Sequence, residues 1–262
     1  TIRRCIHETF EDCPYYEQMQ YLMDTAIESL QVYHLSGDDR LTKRAVLDFL
    51  GAQRSDGLFP CNAPAGFSQI IPGFNFMFVD LIYQHYRYFG DKTLLETCLP
   101  SLSRMLNYFH DKRDPETGLV THCGYWEFVD WVEEWRSDFG TPMKNGDAVN
   151  FIYNQMYAWA LGRTAELYRE IKLPDMARRC EERKAAIIRA VNRHAYDPKT
   201  GYYRSKPGDE RFALHGQLWA VLGGCVTGEE ATALMERAIR DPGLLKCSYS
   251  MSFYLFRAIE EA

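Results

Sequence analysis

The chain has 262 residues, 46% of them hydrophobic and 25% charged, with only 18 glycines and 11 prolines; this excludes disordered, collagen-like and low-complexity classes and allows a sizeable core. Thirty lysines and arginines against 36 aspartates and glutamates give a formal net charge of -6, with no basic run to follow a phosphate backbone, so nucleic acid is not an expected partner. The longest apolar stretch, Ile70 to Tyr83, is broken by Pro72, Asn75 and Asp80, so no membrane-spanning helix is expected either.

The chain opens Thr1-Ile2-Arg3-Arg4 without an initiator Met or an apolar leader, and reads as a piece of a longer polypeptide whose compartment stays open. Apolar residues at i, i+3, i+4 and i+7 then predict helices over Tyr16 to Leu35, Leu41 to Gln53, Phe74 to Tyr88, Leu94 to Phe109, Phe151 to Glu170, Met176 to His194, Leu214 to Cys225, Glu229 to Ile239 and Tyr249 to Ile259. Strand-like alternation is nearly absent.

Two kinds of turn alternate between these helices. Ser36-Gly37-Asp38-Asp39 and Phe89-Gly90-Asp91 each offer a glycine stop followed by an aspartate that can cap the next helix. Asp56-Gly57-Leu58-Phe59, Asp114-Pro115-Glu116-Thr117-Gly118-Leu119 and Asp197-Pro198-Lys199-Thr200-Gly201-Tyr202 are Asp/Pro/Gly turns running into short extended stretches. Helical hairpins with alternating loop classes predict an all-α (α/α)6 barrel or toroid, one domain over residues 1–262, incomplete because nine helices are fewer than six hairpins supply. An open helical-repeat binding scaffold is the bland alternative.

Eight widely spaced cysteines without a C-x-x-C pair predict buried free thiols rather than a disulfide or zinc framework. No dinucleotide, phosphate-loop, nucleophile-elbow or H-E-x-x-H motif is present, and the seven histidines lack ligand spacing, so neither metal nor cofactor is expected. His215, at a helix start, either faces a cavity or is a hydrogen-bonded structural residue.

The informative segment runs from Glu11 to Asp24. Asp12 and Pro14 form a helix-start signature that predicts a helix from about residue 13 to 15, with Asp12 as cap and Glu17, Tyr21 and Asp24 on one face at i, i+4 and i+7. Leu22, Ala26 and Leu30 form a separate apolar stripe. Inward-facing carboxylates with a phenol suit hydrolysis of a glycosidic bond; solvated carboxylates and a merely capping Asp12 are the alternative. A second constellation, Gly124 to Trp135, interleaves Trp126, Trp131 and Trp135 with four carboxylates, Asp130 among them. It is either a sugar-binding wall or an amphipathic helix with Trp126 and Trp131 in the core. Pro72 to Asp80 offers further aromatic wall, with core packing as its default.

The run Asp12-Cys13-Pro14-Tyr15-Tyr16-Glu17-Gln18, with Tyr21 and Asp24, resembles the bacterial α-L-rhamnosidases of glycoside hydrolase family 78. The similarity continues through Ser55-Asp56-Gly57-Leu58, Ile71-Pro72-Gly73-Phe74, Tyr125 to Trp131 and Tyr153-Asn154-Gln155. The resemblance implies an inverting glycosidase without a cofactor, acting on a carbohydrate substrate, a rhamnosylated glycan or glycoside. It implies Glu17 as general acid, buried among Tyr16, Tyr21 and neighbouring carboxylates. Asp12 and Asp24 would hold hydroxyls, with Tyr21, Trp126, Asp130 and Trp131 around the sugar. It further implies a general-base glutamate beyond residue 262 and flanking segments of the same parent chain, so that this piece alone is expected to be inactive. Tyr15-Tyr16 and Met23 depart from the family pattern, which leaves a glycosidase of other sugar specificity, or an inactive carbohydrate-binding barrel, as alternatives.

Overall fold

The computed structural model describes residues 2–262. Nine α-helices are present among them: α1 (Leu22–Ser36), α2 (Arg40–Ala52), α3 (Pro72–Phe89), α4 (Lys92–Asp111), α5 (Phe151–Glu170), α6 (Pro174–His194), α7 (Leu214–Leu222), α8 (Glu229–Arg240) and α9 (Tyr249–Glu261). Two-residue strands β1 (Tyr196–Asp197) and β2 (Tyr202–Tyr203) pair antiparallel across one of the Asp/Pro/Gly turns. Among the described residues, no helix is long and apolar enough to cross a membrane.

The chain divides into two compact units, Thr1–Tyr108 with Arg163–Ala177, and Phe109–Gly162 with Arg178–Ala262. In the first, α1 packs on α2 and α3, and the expected stripe of Leu22, Ala26 and Leu30 is buried. Phe49, Phe59 and Phe78 stack beneath, with ring centroids of Phe59 and Phe78 4.3 Å apart. In the second, α7 packs on α8 and α9, and Trp159, Trp219 and Tyr254 form a three-ring core at 5.0–5.9 Å.

Helices α3 and α7 are buried around most of their circumference, whereas α2 and α8 bury one stripe and expose the other face. A helix apolar all round must be covered on every side, while a one-sided helix supplies cover. Pro72 to Asp80 is therefore core, as its default reading had it.

The three Asp/Pro/Gly turns share one construction. An aspartate oxygen accepts backbone or hydroxyl donors within the turn, as Asp114 Oδ1 does from Thr117 N at 2.7 Å. The residue two places after the turn glycine is then clamped by a buried amide. Asn75 accepts from Phe59 N at 2.7 Å and donates to Phe59 O at 3.2 Å. Asn154 does the same to Val120 at 2.8 and 3.0 Å, and Gln217 to Tyr203 at 2.9 and 2.8 Å. Each amide is the fourth residue of its helix, in α3, α5 and α7, and each also donates to the carbonyl four residues back. One side chain thus satisfies an extended backbone that has no full sheet to join.

The expected helix start near residue 13 to 15 is corrected. Residues 14–17 form a turn, and Gln18 takes a left-handed φ of 52°, which breaks helical geometry. Backbone groups that a helix would use internally are spent elsewhere: Leu22 N donates to Cys61 O at 2.8 Å, Ala63 N to Gln20 O at 3.2 Å, and Tyr21 pairs with Asn62. Helix α1 begins only after that pairing ends.

Candidate active site

Asp12 does not cap α1 but closes the loop in front of it: its Oδ1 accepts from Met19 N at 3.0 Å while its own N–H donates to Met19 O at 3.0 Å. The loop so closed holds out the turn with Tyr15, Tyr16 and Glu17. Glu17 and Tyr16 are exposed, a correction to the expected burial, because both lie on the loop's outer bend. Tyr21 reaches back across the loop and donates its hydroxyl to Glu17 Oε2 at 2.6 Å.

Asp24, in the first turn of α1, is half-buried; burial and the charges of Asp12 and Glu17 outweigh a backbone hydrogen bond and push its carboxyl up to about 6. Asp12, Glu17, Tyr21 and Asp24 are therefore brought together, although by a loop and a helix start rather than by one helical stripe.

Two acids that the sequence reading passed over extend this cluster. Glu28 follows Asp24 by one helical turn and is buried, with Oε2 lacking a hydrogen-bond partner; burial, then Asp24, Asp12 and Glu11, push its carboxyl up to about 9. Glu11 is buried beside it and pairs with His7 Nδ1 at 2.9 Å. The i, i+4 spacing of Asp24 and Glu28 was a usable signal. Cys61 lies close enough to Glu17 and Asp24 that burial and both charges raise its thiol to about 12.

In the second unit, residues 124–132 form no amphipathic helix, Gly124 and Tyr125 taking left-handed φ of 71° and 60°, and a short 3-10 helix follows at Glu133–Asp138. Trp126, Phe128 and Trp131 form a ring cluster with centroids 5.2–6.0 Å apart. Trp131 is exposed, and Trp126 donates its indole N–H to Phe139 O at 2.9 Å, so neither belongs to the core. Phe128 lies on Gly140, where an added Cβ would come within 2.4 Å of the ring, so only glycine fits under the cluster.

Asp130 is turned inward. Its Oδ2 accepts from His215 Nε2 at 2.7 Å and from Ser248 N at 2.8 Å. Burial disfavours its charge, but His215 and Ser248 overcome this and hold it below the usual carboxylate range. His215 is fully buried under the Trp135 ring and is the hydrogen-bonded structural residue of the two readings; against the cost of burial, Cys247 and Asp130 raise it to about 10. Glu127, half-buried, is pushed up to about 7 by its loss of hydration.

All eight cysteines are free. Asp39, His85 and Asp91 bring possible metal-ligand atoms within 4.8 Å of one another, and Lys43 Nζ bridges the two carboxylates, 2.9 Å from Asp39 and 3.0 Å from Asp91.

A family model for the bacterial alpha-L-rhamnosidase 6 hairpin glycosidase domain matches residues 1–240. Among solved structures, the chain is similar to a GH78 family rhamnosidase of Bacillus sp. GL1, with a TM-score of 0.89 and 21% identity over 99% of this chain and 27% of that one. It is similar to a rhamnosidase from Klebsiella oxytoca with rhamnose bound, at 0.85 and 20% over 99% and 49%. A GH63 mannosylglycerate hydrolase from Thermus thermophilus matches at 0.69 and 14% over 99% and 87%. No curated protein sequence matches. The chain spans between about a quarter and a half of the two rhamnosidases. At these identities the likeness establishes the fold, an all-α helical-hairpin architecture of the (α/α)6 class.

Proposed function

The chain belongs to the bacterial alpha-L-rhamnosidase six-hairpin glycosidase family, and from that premise we propose that it carries the acid side of a site hydrolysing terminal α-L-rhamnosides. The supporting observation is the gathering of Glu17, Tyr21, Asp12 and Asp24 in one place, with Tyr21 Oη 2.6 Å from Glu17 Oε2 and the charges of Asp12 and Glu17 felt at Asp24.

Glu17, on an exposed turn, is the general acid: it gives its proton to the glycosidic oxygen as the bond from that oxygen to the anomeric carbon breaks. Tyr21 fixes the carboxyl's orientation, and Asp12 and Asp24 accept hydrogen bonds from sugar hydroxyls. In the inverting reaction a water attacks the opposite face of the sugar, and its proton passes to a general-base glutamate supplied from outside these 262 residues. The two carboxyls in such enzymes stand about 6.5–9.5 Å apart to admit that water. Within the second unit, Trp126 and Trp131 form an aromatic surface of the kind that packs on a sugar's C–H face, while Asp130 Oδ2 is taken up by His215 and Ser248 N. One family model runs through both units, which supports a single catalytic domain.

In the full-length protein, Glu17→Gln should lower kcat on a poorly activated rhamnoside by about 10²- to 10⁴-fold. An undiminished rate removes Glu17 from the role. The likeness to a mannosylglycerate hydrolase favours testing a second sugar specificity, and a panel of nitrophenyl glycosides separates the two.

A further inference from the structure

Two turns of the first unit are built alike. Helices α1 and α3 each end on a left-handed glycine whose N–H donates to the carbonyl four residues back, Gly37 to Tyr33 O at 3.0 Å and Gly90 to Tyr86 O at 2.8 Å. Aspartates follow both glycines, and the fold brings Asp39 and Asp91 to the same Lys43 Nζ, at 2.9 and 3.0 Å. Asp39 stands at the cap position of α2, yet its side chain makes no cap hydrogen bond and is turned to this cluster instead. Asp91 divides its oxygens: Oδ1 accepts from Leu94 N at 3.0 Å at the start of α4, while Oδ2 faces Lys43 and His85.

A lysine between two carboxylates is an ordinary ion pair, but the imidazole beside it is not accounted for. His85 is 1% exposed, and its Nε2 has no hydrogen-bond partner. That atom faces Asp91 Oδ2 from 3.6 Å, beyond hydrogen-bonding range. The other ring nitrogen, Nδ1, is engaged by Tyr33 Oη at 3.2 Å, and the Phe89 ring packs on the imidazole with centroids 5.2 Å apart. A buried polar atom left unpaired costs free energy that a bound ligand can recover. With Nδ1–H donated to Tyr33 Oη, the ring presents its Nε2 lone pair to the carboxylates, which is how an outer partner orients a metal-binding histidine.

We propose that Asp39, His85 and Asp91 form a site for a divalent transition-metal ion of the zinc class, which exchanges with the Lys43 ammonium. Their ligand atoms lie within 4.8 Å of one another. Zinc holds nitrogen and oxygen donors at about 2.0–2.2 Å, so the three close by roughly 1 Å around the ion, with water in the fourth position. Lys43, its side chain 41% exposed, has room to swing into solvent and opens the way in. One imidazole with two carboxylates selects zinc, cobalt or manganese over magnesium and calcium, which prefer oxygen alone. The bound ion ties the α1–α2 turn, α3 and the start of α4 to one another. None of these residues belongs to the acid cluster assigned to glycoside hydrolysis, so the site is independent of that reading.

The full-length protein is titrated with Co²⁺, a coloured stand-in for zinc, and with Zn²⁺ by calorimetry. One ion should bind with a visible d–d band and without the near-ultraviolet thiolate band that cysteine ligands add. Lys43→Met should tighten binding about tenfold, because the ion no longer displaces an ammonium. Asp39→Asn and His85→Gln should each weaken it at least tenfold, and Tyr33→Phe about tenfold through the ring it orients. Where His85→Gln fails to fold, Asp39→Asn decides, since that side chain caps nothing. An undiminished affinity in Asp39→Asn overturns the proposal, as does a thiolate band, or displacement of Co²⁺ by equimolar Mg²⁺ or Ca²⁺. Binding by neither the unaltered protein nor Lys43→Met ends it, and so does binding by Lys43→Met alone, because the native site then belongs to the ammonium.

Discussion

Asp24 in the first unit and Asp130 in the second both lose hydration on folding, yet their carboxyls move in opposite directions. Asp24 has Asp12 and Glu17 for company and rises to about 6; Asp130 has His215 at 2.7 Å and the Ser248 N–H at 2.8 Å and is held below the usual range. Burial opposes both charges, so the sign of the neighbours decides the outcome. In the first cluster burial and like charges act together and raise the carboxyls of Asp24 and Glu28. The second is a closed ion pair that fastens a loop.

The largest expected effect breaks the second arrangement. Asp130→Ala leaves His215 buried without its counter-charge and should cost about 3–5 kcal/mol at pH 7. Urea unfolding followed by tryptophan fluorescence reads this unit directly, because all five tryptophans lie in it. His215 is raised in the folded state, so its contribution is complete below its ordinary value of about 6.5 and is lost as pH climbs through about 10. The gap between native and variant protein should shrink over that range. A gap unchanged from pH 6 to pH 10 would show that the pair is not ionic.

The amide clamps test where the two units follow one design. Asn75→Ala in the first and Asn154→Ala in the second each orphan a buried backbone N–H and C=O, and each should cost about 2–3 kcal/mol in chemical denaturation. Unequal losses would mean that the shared geometry does not carry shared energy.

Glu28→Gln goes the other way. The native carboxyl is raised from 4.5 to about 9, so its contribution is intact below pH 4.5 and declines as pH climbs through about 9. Glutamine keeps the neutral shape. The variant should match the native protein at pH 4 and exceed it by about 1–2 kcal/mol at pH 9, read by circular dichroism during thermal unfolding. The smallest effect is on Asp24: Glu17→Gln removes one like charge and should lower the Asp24 midpoint by a fraction of a pH unit in a carboxyl NMR titration. A rise would reverse the sign assigned to that neighbour.

What could be read from the sequence follows the range of the interactions. The span predicted for α5 coincides with the observed Phe151–Glu170, because helical periodicity is local. The residues at the acid cluster were identifiable by type, but not their arrangement, since Leu22 N bonds to Cys61 O, 39 positions away. Asp130 and His215 stand 85 positions apart, and no spacing rule connects them. Glu28 was within reach by helical spacing, yet its surroundings come from Glu11 and Asp12 in a loop whose path the helix-start signature misdirected.

The amide clamps grip only main-chain atoms, and the gripped positions are Phe59, Val120 and Tyr203, three unrelated side chains. Such a fastening leaves its partner free to drift in evolution while one carboxamide per hairpin stays fixed. Hairpins copied from a common ancestor could lose nearly all letter-by-letter likeness and still be joined in the same way. Ancestry in this architecture is then best sought in the fourth residue of its buried helices.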